Sequence, residues 1–279
     1  MTGAKMDRWF VTGASTGFGR ELARVLVAQG KSVVGTVRQQ GQIAELEAEG
    51  ISGLMLDVND PAQCDGLVEA VRARMGGVDV VVNNAGFGMV GAIEALADDE
   101  IRSVMDTNFF GVVRVTRAFI PELRAHGGTI VNISSMAGQI GFAGTGAYCA
   151  SKFALEGLSE ALAEELAPFG IRVLIVEPGA FRTDFAGRSI RGASKRVAVY
   201  DGSQAGDAKE MMAQYHGHEP GDPIKGAKAI IAAVASDSPP LRLALGADAV
   251  EGIETKLRHL KKDMDDWRIA SLATAYDPV

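Results

Sequence analysis

Of the 279 residues only two are cysteine, Cys64 and Cys149. They lie far apart in different contexts, which supplies neither a disulfide framework nor a thiolate metal site and fits a reducing compartment. Histidine is almost as scarce, with four in all. His216 and His218 form an H-x-H pair, but His126 and His259 have no ligand-like spacing, so these side chains read as surface groups and no metal is expected. No run of 18 apolar residues occurs, so no membrane-spanning helix is expected. Met1 to Arg8 carry a lysine and an arginine, without the apolar run behind them that a signal peptide needs. The net charge is −7, and no continuous basic patch offers itself to nucleic acid. These absences describe an acidic, soluble protein, expected in the cytoplasm.

What the chain has in quantity is apolar residues, 47% of the total, and 34 glycines. That composition can bury a substantial core. Short apolar runs alternate with helical periodicity. Strands are predicted at Trp9–Val11, Lys31–Val37, Ile51–Leu56, Val78–Val82, Thr129–Ile133, Ile171–Val176 and Leu241–Leu245. Helices are predicted at Glu21–Gln29, Gln42–Glu49, Pro61–Met75, Asp99–Ala125, Gly146–Pro168, Ile224–Ala235 and Asp248–Ile269. The run Val78–Val82 is too uniformly apolar for a half-exposed strand and suggests a parallel strand buried on both faces. Such alternation gives βαβ units and a parallel sheet of about seven strands in an α/β fold. No linker divides the chain, so residues 1–279 are expected to form a single domain. Within it, residues 1–183 form the core, residues 184–221 a partly helical lid, and residues 222–279 a C-terminal helix-strand-helix. The charges of the last helix read as a solvated face.

Three places carry chemistry. Gly13, Gly17 and Gly19 fall between the first strand and the first helix, where glycines let a pyrophosphate approach free N–H groups and the helix dipole. The second strand ends at Val37-Arg38 without a carboxylate. An acid there would bind a ribose 2′-hydroxyl, whereas Arg38 suits a 2′-phosphate, with Thr36 in support. NADP(H) is therefore the expected cofactor, with NAD(H) as the alternative. Asp57, with Val58 at the end of the third strand, either accepts from an adenine amino group or caps the next helix. Asn83 ends the fourth strand, beside the expected ribose. The third place is Ser134-Ser135 followed by Tyr148 and Lys152. Tyr148 and Lys152 are four apart and share one helix face. A lysine ammonium roughly 5 Å from the phenol, at an effective dielectric of about 20, would stabilise phenolate by ~3 kcal/mol. That is about two pKa units, which brings tyrosine into range for general acid–base work.

These features together resemble the short-chain dehydrogenase/reductase family. The resemblance rests on T-G-A-S-T-G-F-G (Thr12–Gly19), N-N-A-G (Asn83–Gly86), Asn108, the serine pair ending in Ser135, Y-C-A-S-K (Tyr148–Lys152) and Pro178-Gly179. All occur in the family's order and spacing, between Trp9 and about Thr183. It implies a Rossmann-type doubly wound fold and an NAD(P)-dependent oxidoreductase acting on CH–OH groups. Asn108, Ser135, Tyr148 and Lys152 would be the catalytic tetrad. Tyr148 would be the acid/base, Lys152 would hold the nicotinamide ribose, Ser135 would steady the substrate oxygen, and Asn108 would anchor a water chain to Lys152. The cofactor would also meet Ser15, Thr16, Phe18, Ala85, Gly86, Ile133, Pro178, Gly179 and Thr183. Cys149 departs modestly from many members and reads as packing. A looser similarity points to the 17β-hydroxysteroid-dehydrogenase-like branch.

Phe87, Met89, Phe142, Phe181 and Phe185 are expected to bound the substrate pocket with Ser135 and Tyr148, which favours a small hydrophobic alcohol or ketone. The family also implies a homodimer or homotetramer, paired through the helices of Asn108 and Tyr148. The competing reading is a non-catalytic NADP-binding regulator of the same fold, which would be free to lose a tetrad member.

Overall fold

The structure, a computed structural model, describes residues 6–276. Residues 1–5, part of the stretch read above for a signal peptide, lie outside the described residues. The strands, in chain order, are β1 (Arg8–Val11), β2 (Ser32–Val37), β3 (Ser52–Met55), β4 (Val80–Asn83), β5 (Gly88–Val90), β6 (Gly128–Ile133), β7 (Ile171–Pro178), β8 (Ile190–Gly192) and β9 (Arg242–Leu245). Seven form one parallel sheet in the order β3-β2-β1-β4-β6-β7-β9. The order reverses between β1 and β4, the switch point at which open α/β sheets bind ligands. β5 and β8 make a separate parallel pair.

The helices are α1 (Gly17–Ala28), α2 (Gly41–Glu47), α3 (Pro61–Asp65), α4 (Leu67–Met75), α5 (Asp98–Met105), α6 (Gly111–Arg124), α7 (Gly146–Leu166), α8 (Ala208–Tyr215), α9 (Pro223–Ala235), α10 (Ala247–Asp266) and α11 (Arg268–Leu272). Alternate strand residues point to opposite faces, and two cores follow. Trp9, Val11, Val80 and Val82 pack against Leu22 and Leu26 of α1 and Ile230 and Val234 of α9. Phe10, Val34 and Val81 face the other way, against Val115 and Phe119 of α6 and Leu162 and Leu166 of α7. Phe10 and Phe119 meet with ring centroids 4.8 Å apart. Both faces of the sheet are covered, as uniformly apolar parallel strands require.

Three expected helices are interrupted. The Pro61–Met75 run breaks at Gly66 into α3 and α4. The cap of α3 is Asp60, whose carboxylate accepts from the Ala62 N–H at 3.0 Å, so Asp57 is not that cap. The Asp99–Ala125 run contains a π-helical turn, Asp106–Phe110, between α5 and α6. The last expected helix divides at Trp267 into α10 and α11. Among the described residues no helix is long and apolar enough to cross a membrane.

Candidate active site

A cleft of about 560 Å³ opens at the C-terminal ends of β1, β2, β3, β4, β6 and β7. Its floor is the loop after β1. Gly13 and Gly17 have φ of +66° and +62°, a region that costs L-residues 1–2 kcal/mol. A Cβ on Gly13 would stand 2.9 Å from the Cα of Ala85, so this position also needs close backbone approach. Side chains lock the two loops together. The Thr12 hydroxyl accepts from the N–H groups of Asn84 and Ala85 at 2.9 and 3.0 Å. Asn84 Nδ2 donates to the carbonyls of Thr12 and Gly13 at 2.9 and 3.0 Å.

The fit to a dinucleotide follows from what this loop leaves unpaired. Thr16 precedes α1 without a side-chain cap, and the first turn carries no acid. The orphan N–H groups of that turn therefore suit a pyrophosphate. Arg38 lines the cleft, exposed, with no carboxylate partner among the described residues. Thr36 lines the cleft near it, and its buried hydroxyl accepts from the Gly13 N–H at 3.1 Å. Asp57 and Val58 line the far end of the cleft, where Asp57 Oδ1 accepts from the Asn59 N–H at 3.0 Å. Ser15, Thr16, Phe18, Ala85, Gly86, Ile133, Pro178, Gly179 and Thr183 all lie on the cleft wall.

Two residues expected at the cofactor do not line the cleft. Asn83 is buried and its amide donates to Thr116 and Asn132 at 3.0 and 2.8 Å. The neighbouring Asn84 lines the cleft instead. Gly19 lies behind the loop, where a Cβ would collide with the Asn84 amide. Its requirement for glycine is packing.

Tyr148 and Lys152 project from the first turns of α7 into the cleft. Lys152 Nζ is 5.8 Å from the Tyr148 ring centroid and donates to the Ile133 carbonyl at 2.7 Å. Ser135 follows β6, and its Oγ accepts from the Ala137 N–H at 3.1 Å. Burial pushes the Tyr148 phenol up to about 12, partly offset by the nearby Ser135 hydroxyl. Burial also pulls the Lys152 ammonium down to about 8, against the opposing pull of Glu156. For the half-buried phenol and the buried ammonium alike the largest cause is desolvation, which disfavours both charged forms.

Asn108 sits in the π turn behind this pair and is fully buried. Its Oδ1 accepts from the Phe87 N–H at 3.0 Å. Its Nδ2 donates to the Phe87 carbonyl at 2.9 Å and to the Ser151 hydroxyl at 3.0 Å. Asn108 therefore braces the loop after β4 against α7 through protein groups.

The apolar end of the cleft gathers around Tyr148. Phe87 and Met89 are buried beside it, and the Phe185 ring lies 5.7 Å from the Tyr148 ring. The β5–β8 pair sets Met89 opposite Arg191, whose guanidinium lies 4.2 Å over the Phe87 ring. Phe142 is exposed at the rim. Phe181 lies at the glycine-loop end, edge-on to Phe18 at 5.3 Å. Sequence reasoning passed over Asp248, whose carboxylate accepts from the Ala180 N–H at 2.7 Å and ties α10 to the loop after β7. It also passed over Asn84, although the doubled asparagine of N-N-A-G offered that signal.

The profile of the short chain dehydrogenase family matches residues 8–193. An oxidoreductase of Botryotinia fuckeliana is 36% identical over 272 residues, covering 96% of this chain and 98% of that protein. The crystal structure of a short-chain dehydrogenase from Streptomyces avermitilis superposes with a TM-score of 0.88 at 43% identity, covering 96% of this chain and all of that one (100%). An alcohol dehydrogenase from Thermococcus sibiricus, complexed with 5-hydroxy-NADP, superposes with a TM-score of 0.69 at 25% identity over 86% of this chain and 96% of that one. With the parallel sheet, the glycine loop and the Ser135–Tyr148–Lys152 cleft in place, these similarities establish that the chain belongs to the short-chain dehydrogenase family, as an oxidoreductase with a nicotinamide dinucleotide cofactor.

Proposed function

We propose that the protein interconverts a hydrophobic secondary alcohol and its ketone with NADP(H), using Tyr148 as the acid/base. The observation that carries this reading is the meeting of Ser135, Tyr148 and Lys152 with an apolar wall of Phe87, Met89 and Phe185 in one cleft. Bound nicotinamide dinucleotide supplies the hydride in reduction and takes it up in oxidation. In reduction Tyr148 gives its proton to the substrate oxygen, and the Ser135 hydroxyl stabilises the negative charge developing there. In oxidation the Tyr148 phenolate accepts that proton. Lys152, fixed by the Ile133 carbonyl, places a cation beneath the ring and orients the ribose. Arg38 meets the 2′-phosphate, which favours NADP(H) over NAD(H).

Residues 184–221, which include β8 and α8, form the substrate lid, while Phe181 serves the cofactor end. Pairing of α6 and α7 between subunits gives a homodimer or homotetramer, a reading supported by the exposed Phe110 and Phe153 beside these helices. NADPH oxidation with a panel of apolar ketones tests the proposal. Tyr148→Phe should lower kcat by at least about a hundredfold while leaving NADPH affinity unchanged. Turnover unaffected by that substitution would sink the acid/base assignment. Absence of turnover with every ketone and alcohol, alongside tight NADPH binding, would favour the regulator.

A further inference from the structure

The first turns of α10 pack closely on the body, where a Cβ on Gly252 would stand 2.9 Å from Ile140 Cδ1. From Leu257 onward every described residue is exposed. The projecting segment is not polar all round. Val250, Ile253, Leu257, Leu260, Met264 and Trp267 recur at alternating intervals of three and four, which places them on one stripe of the helix. Leu257 is 56% exposed, Leu260 44%, Met264 65% and Trp267 70%. A contiguous apolar row of this kind, rimmed by charge, marks an interaction surface.

We propose that this stripe is a two-fold interface with α10 of a second copy of the chain, the two helices running antiparallel. The occupant is identified by self-complementarity. An antiparallel pair centred between Arg258 and His259 sets Leu257 against the partner's Leu260, Ile253 against the partner's Met264, and Val250 against the partner's Trp267. All six apolar positions are then used, each twice, as an isologous contact requires. The flanking charges agree. On one side Lys256 comes beside the partner's Asp263. On the other Glu254 comes beside the partner's Lys261. The two-fold repeats each pair.

Glu254, Lys256 and Asp263 have no ion-pair partner within the chain among the described residues, and Lys261 holds only the exposed Asp265 at 2.7 Å. A parallel pair would bring Lys256 beside the partner's Lys261 twice, so the charge pattern discriminates against it. A lipid surface fits less well. Residues 247–272 carry six acids against five bases, whereas interfacial helices are rich in lysine and arginine. This contact is separate from the α6–α7 pairing and does not depend on the catalytic reading.

Sedimentation velocity of the full-length protein over about a hundredfold range of concentration tests it. The double variant Leu257→Glu/Leu260→Glu changes only exposed positions, and its circular dichroism and melting temperature should match wild type. Its assembly should fall to half the wild-type mass, with the dissociation constant raised at least about tenfold. Lys256→Asp alone should weaken association, and Lys256→Asp/Asp263→Lys should restore it. A monomeric wild type, or a mass unchanged by the double variant, overturns the proposal. Tighter association of Lys256→Asp overturns the antiparallel arrangement. Co-sedimentation with anionic phospholipid vesicles that is lost in the double variant, without self-association of wild type, would assign the stripe to a membrane surface instead.

Discussion

The proposed preference for NADP(H) rests on a single residue, Arg38. It ends β2 at the cleft, exposed and unopposed by any carboxylate among the described residues. A guanidinium there makes charge-assisted hydrogen bonds to a phosphate that a ribose hydroxyl does not match. Arg38→Asp should therefore weaken NADPH by about 2–3 kcal/mol, a 30- to 150-fold rise in Kd, and weaken NADH by less than about 1 kcal/mol. Fluorescence titration with both nucleotides checks it, and equal losses would remove Arg38 as the discriminator. Nearby Thr36 shows that packing adds roles that a residue-by-residue reading does not give. The side chain alternates toward the loop after β1, and its hydroxyl holds the Gly13 N–H at 3.1 Å. The Tyr148–Lys152 pair carries the same lesson. The i, i+4 spacing put both groups on one face, but the sequence carried no measure of burial, and burial moves the phenol to about 12 and the ammonium to about 8.

At the scale of elements, legibility followed the strength of periodic signals. The inner strands β1, β4, β6 and β7 were readable because a run buried on both faces is largely apolar, whereas the edge strands β3 and β9 are only partly buried. The β5–β8 pair was not readable. Three-residue strands leave no period, and their partners are about a hundred residues apart in sequence. The π turn Asp106–Phe110 was hidden as well, because α5 and α6 keep helical spacing on either side of it. Its setting is visible at Gly111, where a Cβ would stand 2.7 Å from Val58 Cγ2. The turn lets the chain pass the loop after β3 while Asn108 reaches Phe87 and Ser151. Gly111→Ala is thus an overpacking change within a helix, where propensity alone would favour alanine. It should destabilise the fold by about 1–3 kcal/mol. It should also weaken the cofactor, since Val58 lines the cleft. Urea denaturation together with a nucleotide titration separates the two effects, and a neutral or stabilising result would mean that the loop moves freely.

Across the whole molecule, the site and the sheet edge are joined by a buried polar cluster one helical turn beyond Lys152. Glu156 of α7 and Glu177 of β7 are both buried. Gln139 donates to each of them, at 3.2 and 2.9 Å. Arg242 of the edge strand β9 lies 3.2 Å from each and 2.7 Å from Glu160. Burial raises both buried carboxyls, Glu177 to about 7 with the charge of Glu156 adding to the effect. A folded-state pKa above the unfolded value means that the native protein binds more protons between about pH 4.5 and 7. The stability contributed by a protonated Glu177 is therefore complete below that window and lost as pH rises through 7. Glu177→Gln keeps the shape, removes the ionisation and still accepts from Gln139. At pH 8 the variant should be more stable than wild type by about 1–2 kcal/mol, less than the full linkage value because the ion pair with Arg242 is lost. At pH 5 the gain should vanish or change sign. Denaturant midpoints for both proteins at the two pH values decide it. A wild type that stays the more stable at pH 8 would mean that Arg242 fully compensates the ionised pair, and that the cluster locks β9 to α7 without any dependence on pH.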